Sequence, residues 1–190
     1  MEPVLQEDKT FEGIDFSARE IPGREFDNCV FINCNFSKCI LSNYDFMDCH
    51  FKSCNLSLVV VENTGIKNLH FTGCKMMGID FSRCNNFNFS ASFTGSPLDY
   101  CSFFRKKMKK TVFTDCSMKE VDFTETDLTL AIFKNCDLQN ASFTQSLLEK
   151  ADFSTATNYA FDPELNKIKK ARFSFPGIAG LLSKYDIVIE

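Results

Sequence analysis

The chain has 190 residues, 44% of them hydrophobic and 24% charged, with a formal net charge of −4 at pH 7; this suits one domain or one elongated repeat array with a sizeable core. No charged stretch precedes an apolar run at the N-terminus, and the longest aliphatic run is residues 58–61, so neither a secretory leader nor a membrane span is expected. The expectation is a cytoplasmic protein whose ten cysteines stay reduced.

Charge is uneven along the chain. Residues 1–60 hold ten acids and five bases, 61–120 five and nine, and 121–190 ten and seven.

From Phe11 to Phe81 a Phe, Ile, Leu, Val or Met recurs at every fifth position, fifteen times in succession. Five residues advance a helix by about 500° and turn a strand to its other face, so the period fits neither regular element. The chain must bend once per repeat. The recurrent residue i and residue i−2 then face inward on a short extended segment, i−1 faces outward, and i+1 and i+2 make the corner. Residues 1–10, the N-terminal segment, and the IPGREF stretch read as parts of an irregular first coil, where Lys9, Arg19 and Arg24 fall on inward positions that an end coil can leave uncovered.

A second run of thirteen such positions extends from Phe93 to Phe153, two residues out of phase with the first. Residues 82–92 therefore carry a dislocation, a bulge, hinge or small loop where Phe87 and Phe89 fall off the period. After Phe153 the pattern weakens through Asn158 and Pro163 and returns at Ile168 and Phe173, which closes a repeat region of residues 11–173. In residues 174–190 Pro176 suits the first turn of a helix, Ile178, Leu181, Leu182 and Tyr185 recur at helical spacing, and Ile187 and Ile189 alternate as a short terminal strand. This tail either lids the open end or pairs two chains as a twofold homodimer, and the homodimer is the favoured reading.

The repeats CNFSK, CNLSL, VDFTE, CDLQN, ASFTQ and ADFST resemble those of the pentapeptide repeat proteins. That resemblance implies an all-β fold, a right-handed quadrilateral β-helix of about eight coils with four repeats per coil. Residues twenty apart then stack, giving a core ladder of Phe31, Phe51, Phe71, Phe93, Phe113, Phe133 and Phe153. The mid-chain break, the DPELNKI loop and the GLLSKYDIVIE ending resemble the quinolone-resistance (Qnr) and microcin B17 immunity subgroup. Its members are dimeric rods that act on DNA gyrase or topoisomerase IV by resembling duplex DNA. The unbroken period leaves no room here for the long projecting loops of Gram-negative Qnr proteins.

All ten cysteines fall on i−2 and read as small interior residues. None has C-x-x-C spacing, so no metal is expected. His50 and His70, twenty apart at i−1, should stack on an outer face, while Cys49 points inward and cannot meet His50 for catalysis. The run Arg105, Lys106, Lys107, Met108, Lys109, Lys110 places Lys106 inward and so requires a distortion; otherwise it reads as a solvated corner, with Lys107 stacking over Asp127. Asp122, Asp127, Asp137 and Asp152 at i−1 either bond neighbouring backbone or form an acidic face that imitates a nucleic acid. Ile40 with Val60 and Val112 with Ile132 are outward apolar pairs.

The functional expectation is a non-enzymatic scaffold with a protein partner. The alternative is a DNA-mimicking binder of gyrase or topoisomerase IV. No cofactor, catalytic group, direct nucleic-acid contact or membrane contact is expected.

Overall fold

The computed structural model describes residues 5–188. Every fifth residue bends the chain because residue i+2 takes the left-handed conformation: φ is 49° at Asn28, 52° at Asn33, 62° at Asn43 and 51° at Asp48. Asn and Asp adopt that region more readily than other side chains, which is why they recur at these corners. The N–H at the bend is then satisfied by the next coil, as from Asn33 to the Lys52 carbonyl at 2.9 Å.

Between bends the extended segments are two to four residues long. They are β1 (Leu5–Glu7), β2 (Thr10–Glu12), β3 (Glu25–Asp27), β4 (Val30–Ile32), β5 (Asp45–Met47), β6 (His50–Lys52) and β7 (Gly65–Lys67). There follow β8 (Leu69–Thr72), β9 (Ala91–Thr94), β10 (Val112–Thr114), β11 (Ile132–Lys134), β12 (Asp152–Phe153) and β13 (Arg172–Phe173). Strands too short to stand alone persist because each pairs in parallel with its neighbours in the adjoining coils.

The first side of the solenoid stacks β1-β3-β5-β7, and the second stacks β2-β4-β6-β8-β9-β10-β11-β12-β13. Single bridges mark the third side, as Asp15 with Asn35, and the fourth, as Ile40 with Val60. The architecture is a parallel β-solenoid of about eight turns with one short C-terminal helix. Residues 5–10 belong to the first coil, since β1 pairs with β3 and Gln6 takes the inward position opposite Phe26.

Pairing is twenty residues apart, as Phe51 with Phe71, until the dislocation, where Phe71 faces Phe93. The two extra residues sit on the first side, whose sheet ends at β7 while the second side continues unbroken. There Phe89 turns inward and is buried, and Phe87 stays 69% exposed.

Phenylalanine fills the interior. Along the second side the rings stack at 5.0 Å from Phe11 to Phe31, 4.7 Å to Phe51, 5.1 Å to Phe71 and 5.4 Å to Phe93. The ladder runs on at 5.2 Å to Phe113, 5.1 Å to Phe133, 4.7 Å to Phe153 and 5.4 Å to Phe173. Each buried ring contributes on the order of 3 kcal/mol before entropy is counted. Where aliphatic residues interrupt the aromatic columns a void of about 20 Å³ remains, lined among others by Leu41, Val61 and Ile66.

At the C-terminal end α1 (Ala179–Leu182) lies between 3-10 turns at Pro176–Ile178 and Ser183–Tyr185. The Ser174 hydroxyl accepts the Gly177 N–H at 3.1 Å. Glycine is required at two places here, because a Cβ on Gly177 would lie 1.9 Å from Tyr159 Oη and one on Gly180 1.9 Å from the Tyr159 carbonyl oxygen. Leu181 is buried by this approach. The Lys184 ammonium bridges Asp162 at 2.8 Å and Glu164 at 2.9 Å. The expected terminal strand does not form at Ile187 and Val188, which find no partner strand among the described residues; Ile189 lies outside them.

Candidate interaction surfaces

The cysteines have a chemical task besides filling space. Several inward i−2 groups approach the carbonyl of the residue 23 positions earlier: Cys34 Sγ donates to Phe11 O, Cys54 to Phe31 O and Cys74 to Phe51 O, at 3.3–3.4 Å. Thr64, Thr126 and Ser146 do the same with hydroxyls at 2.7 Å. Each of these donors adds a side-chain bond to an interior carbonyl, and the carbonyls of Leu41, Phe103 and Phe123 also accept the backbone N–H three residues on, at 3.0–3.1 Å. Burial pushes the thiols of Cys49, Cys84 and Cys101 up to about 12, so they are inert as nucleophiles.

Lys106 is inward and 1% exposed. Its ammonium donates to the Cys84 carbonyl and, at 2.7 Å, to Asn86 Oδ1, and it lies 5.3 Å from the centre of the Phe89 ring. Desolvation lowers its pKa. The irregular turn of the dislocation supplies these partners.

His50 and His70 stack on the second side, 4.7 Å between ring centres. Partial burial, then the neighbouring His70 and Lys52, lower the His50 pKa, while His70 Nδ1 is 2.8 Å from Ser92 Oγ. Among the described residues no group of three or more His, Cys, Asp or Glu side chains is arranged to hold a metal.

The four candidate acids do not share a face. Asp152 is on the second side in β12, Asp127 is on the first side across from Lys107, Asp137 is on the third and Asp122 on the fourth. Steps of five residues carry the chain to the next side, so acids separated by five, ten and fifteen residues diverge around the solenoid. Their oxygens instead accept the N–H two residues on, at Thr124 (2.9 Å), Thr129 (3.2 Å), Gln139 (3.3 Å) and Ser154 (2.9 Å). Against the effect of burial, the hydrogen bonds from Asn158 and Lys119 hold the Asp137 carboxyl below its usual range, and those from Ser154, with Arg172, do so for Asp152. Lys109, rather than the stacked Lys107, makes the ion pair with Asp127, at 3.4 Å.

Charge segregates on the first side in a way the sequence did not announce. Its outward positions carry Glu7, Asp8, Glu25, Asp27, Asp45 and Asp48 in the first three coils. Beyond the dislocation they carry Lys107, Lys109, Lys110, Lys150, Lys167, Lys169 and Lys170, against Asp127 and Glu149. The twenty-residue register would have revealed this had acids and bases been sorted by side.

In the tail Phe175 is 90% exposed, and Ile178, Tyr185, Ile187 and Val188 are also exposed, whereas Leu181 is buried and Leu182 half-buried.

Five-residue repeats, four to a turn, around a filled aromatic interior define a class: the four-sided parallel β-solenoid. Two family models match, described as "Pentapeptide repeat region" over residues 24–103 and "Pentapeptide repeats (8 copies)" over residues 107–135. The chain belongs to the pentapeptide repeat family.

No curated protein sequence matches the chain. Among solved structures, full-length QnrB1, a plasmid-mediated fluoroquinolone resistance protein, is 16% identical, with 97% of this chain and 100% of that one covered and a TM-score of 0.50. A trypsin-treated form of QnrB1 is 19% identical, with 98% and 100% covered and a TM-score of 0.48. HetL, a pentapeptide repeat protein involved in heterocyst differentiation regulation from the cyanobacterium Nostoc sp. strain PCC 7120, is 14% identical, with 90% and 85% covered and a TM-score of 0.35. At these identities the likeness is one of fold.

Proposed function

We propose that the protein is a non-enzymatic scaffold of the cytoplasm that binds a protein partner through its outer faces. The observation that carries this reading is the pair of apolar strips on otherwise polar sides: Ile40 (69% exposed) bridged to Val60 (39%), and Val112 (37%) paired with Ile132 (40%). Ten free thiols fit a reducing compartment. No helix among the described residues is long and apolar enough to cross a membrane. The test is affinity capture from the native host with the wild-type chain beside Ile40→Glu/Val60→Glu and Val112→Glu/Ile132→Glu. A partner held by the wild type and lost from one variant supports the reading, and equal recovery by all three overturns it.

A second reading, action on gyrase or topoisomerase IV, has support in the fold likeness to QnrB1 at a TM-score of 0.50. The scattering of Asp122, Asp127, Asp137 and Asp152 over four sides weighs against a phosphate-like ladder. Supercoiling assays with and without a quinolone decide it, and no change at saturating protein removes it. Homodimerisation through the tail is part of the proposal: Phe175 and Ile178 are exposed, and Ile187 and Val188 lack a strand partner among the described residues. Light scattering of Phe175→Asp/Ile178→Asp beside the wild type tests it.

A further inference from the structure

We infer that the first side of the solenoid is a self-complementary surface, on which a second copy of this chain packs side by side and antiparallel. Its outward residues lie in three rows parallel to the long axis. A twofold axis along the strand direction reverses the rod and leaves each row facing itself. Counting layers of the first side from β1, the dislocation is the fifth and Met108 lies in the sixth. With the axis between these two, the second layer faces the ninth, the third the eighth and the fourth the seventh.

Opposite charges then meet row by row. Glu25 faces Lys167, Asp27 faces Lys169 and Asp48 faces Lys150, each pair occurring twice by symmetry. Lys67, which pairs with Asp45 at 3.2 Å in its own chain, comes next to Asp127 of the other copy. The exposed Phe87 and the outward lysines of the Met108 coil meet across the axis, an aromatic ring against cations. A parallel arrangement would instead set the acidic coils on one another, so charge selects the antiparallel one.

A side of roughly 40 Å by 12 Å buries on the order of 1,000 Å² over both copies, the low end for a specific interface. The contact is therefore transient and sensitive to salt. It is separate from the tail, and neither contact requires the other.

The test is sedimentation equilibrium of the full chain carrying Phe175→Asp/Ile178→Asp, which removes pairing through the tail, at about 20 mM and about 500 mM salt. Asp48 and Lys150 both occupy the left-handed corner position, where Asp and Lys each occur elsewhere in the fold, so the backbone accepts either reversal, and Asp48→Lys gives up only the exposed bond from Asn68 Nδ2 at 2.6 Å. Within one chain they are five coils apart, roughly 24 Å, and do not interact. Asp48→Lys and Lys150→Asp should each weaken low-salt self-association at least tenfold. The double variant should recover to within threefold of its parent, because the swapped charges meet again between copies. A double variant as weak as the singles overturns the proposal. So does a parent chain that stays monomeric at low salt, including one that instead binds polyglutamate or an oligonucleotide through these lysines.

Discussion

Lys106 Nζ donates to the Asn86 side-chain oxygen at 2.7 Å, from a lysine 1% exposed to an asparagine that reaches solvent. The pair explains how a cation is tolerated at an inward position in the buried middle of the solenoid, away from the end coils where Lys9, Arg19 and Arg24 sit. The two extra residues of the dislocation bring the Cys84 carbonyl, Asn86 and the Phe89 ring around the ammonium. Asn86→Ala should cost about 1–2 kcal/mol, because it strips a partner from a buried charge. The same change in a Lys106→Met background should cost under about 0.5 kcal/mol, since no charge then needs the amide. Denaturant titration of the four chains measures this coupling. The sign of the pH effect follows from the lowered pKa: the unfolded chain binds the Lys106 proton more tightly. The stability of the wild type relative to Lys106→Met should therefore rise as pH climbs toward the ordinary lysine value of 10.5.

The Phe113 ring is 0% exposed, stacked 5.2 Å from Phe93 and 5.1 Å from Phe133, with Phe103 and Phe123 edge-on at 6.2 and 6.0 Å. Phe113→Ala should destabilise by about 3–5 kcal/mol, and Phe113→Leu by only about 1–1.5 kcal/mol, because Leu98, Leu128 and Leu138 fill equivalent inward positions. Phe11→Ala, at a half-buried ring in the first coil, should cost less than half as much as Phe113→Ala. Chemical unfolding followed by circular dichroism ranks the three.

The thiols make alkaline stability a second readout of the interior. Cys49, Cys84 and Cys101 ionise near 9.0 when unfolded and at about 12 when folded, because burial disfavours the thiolate. Their contribution is fully present below about pH 9 and is lost as pH rises from there toward 12. Each removes about 1.4 kcal/mol per pH unit in that window, so the three together remove on the order of 4 kcal/mol per pH unit. Guanidinium midpoints at pH 7, 9, 10 and 11 under reducing conditions should be flat to pH 9 and then fall steeply. Cys54→Ala, which removes the thiol bond to the Phe31 carbonyl and opens a small gap in the interior, should cost about 1–2 kcal/mol, and Cys54→Ser should recover part of this.

The fivefold period was sufficient to read a bend in every repeat, the inward positions and the dislocation, because each inward position selects strongly by size and polarity. Thus Phe31 and Cys34 reveal their orientation by identity alone. The four-sided coil and its aromatic ladder came from the resemblance to the pentapeptide repeat proteins. Outward positions are selected weakly by the fold, and their grouping depends on which side each repeat reaches. Asp122 and Asp127 look like neighbours in a list of acids, yet the intervening bend sets them on different sides. The segregation of Glu25 and Asp27 from Lys167 and Lys169 needed the coil register. The donor role of the cysteines was hidden for another reason: it depends on a carbonyl 23 residues away. Ile187 needs a partner strand to form one, and its own chain offers none among the described residues.

Val61 is the smallest of the fifteen recurrent residues before the dislocation, and it lines the 20 Å³ void with Leu41 and Ile66. It sits in a column of Ile21, Leu41, Val61 and Phe81, so the space above and below is shaped for a longer side chain. One added methylene approximates the missing volume and contributes about 0.8 kcal/mol when buried without strain. Some of that is offset by the limited rotamers of a β-branched residue between two packed coils. Val61→Ile should therefore raise stability by about 0.5 kcal/mol, while Val61→Phe, copying Phe81, overfills the site and should destabilise by about 1–3 kcal/mol. The opposite ordering in parallel urea titrations would mean that the void is closed in solution by movement of Leu41 or Ile66.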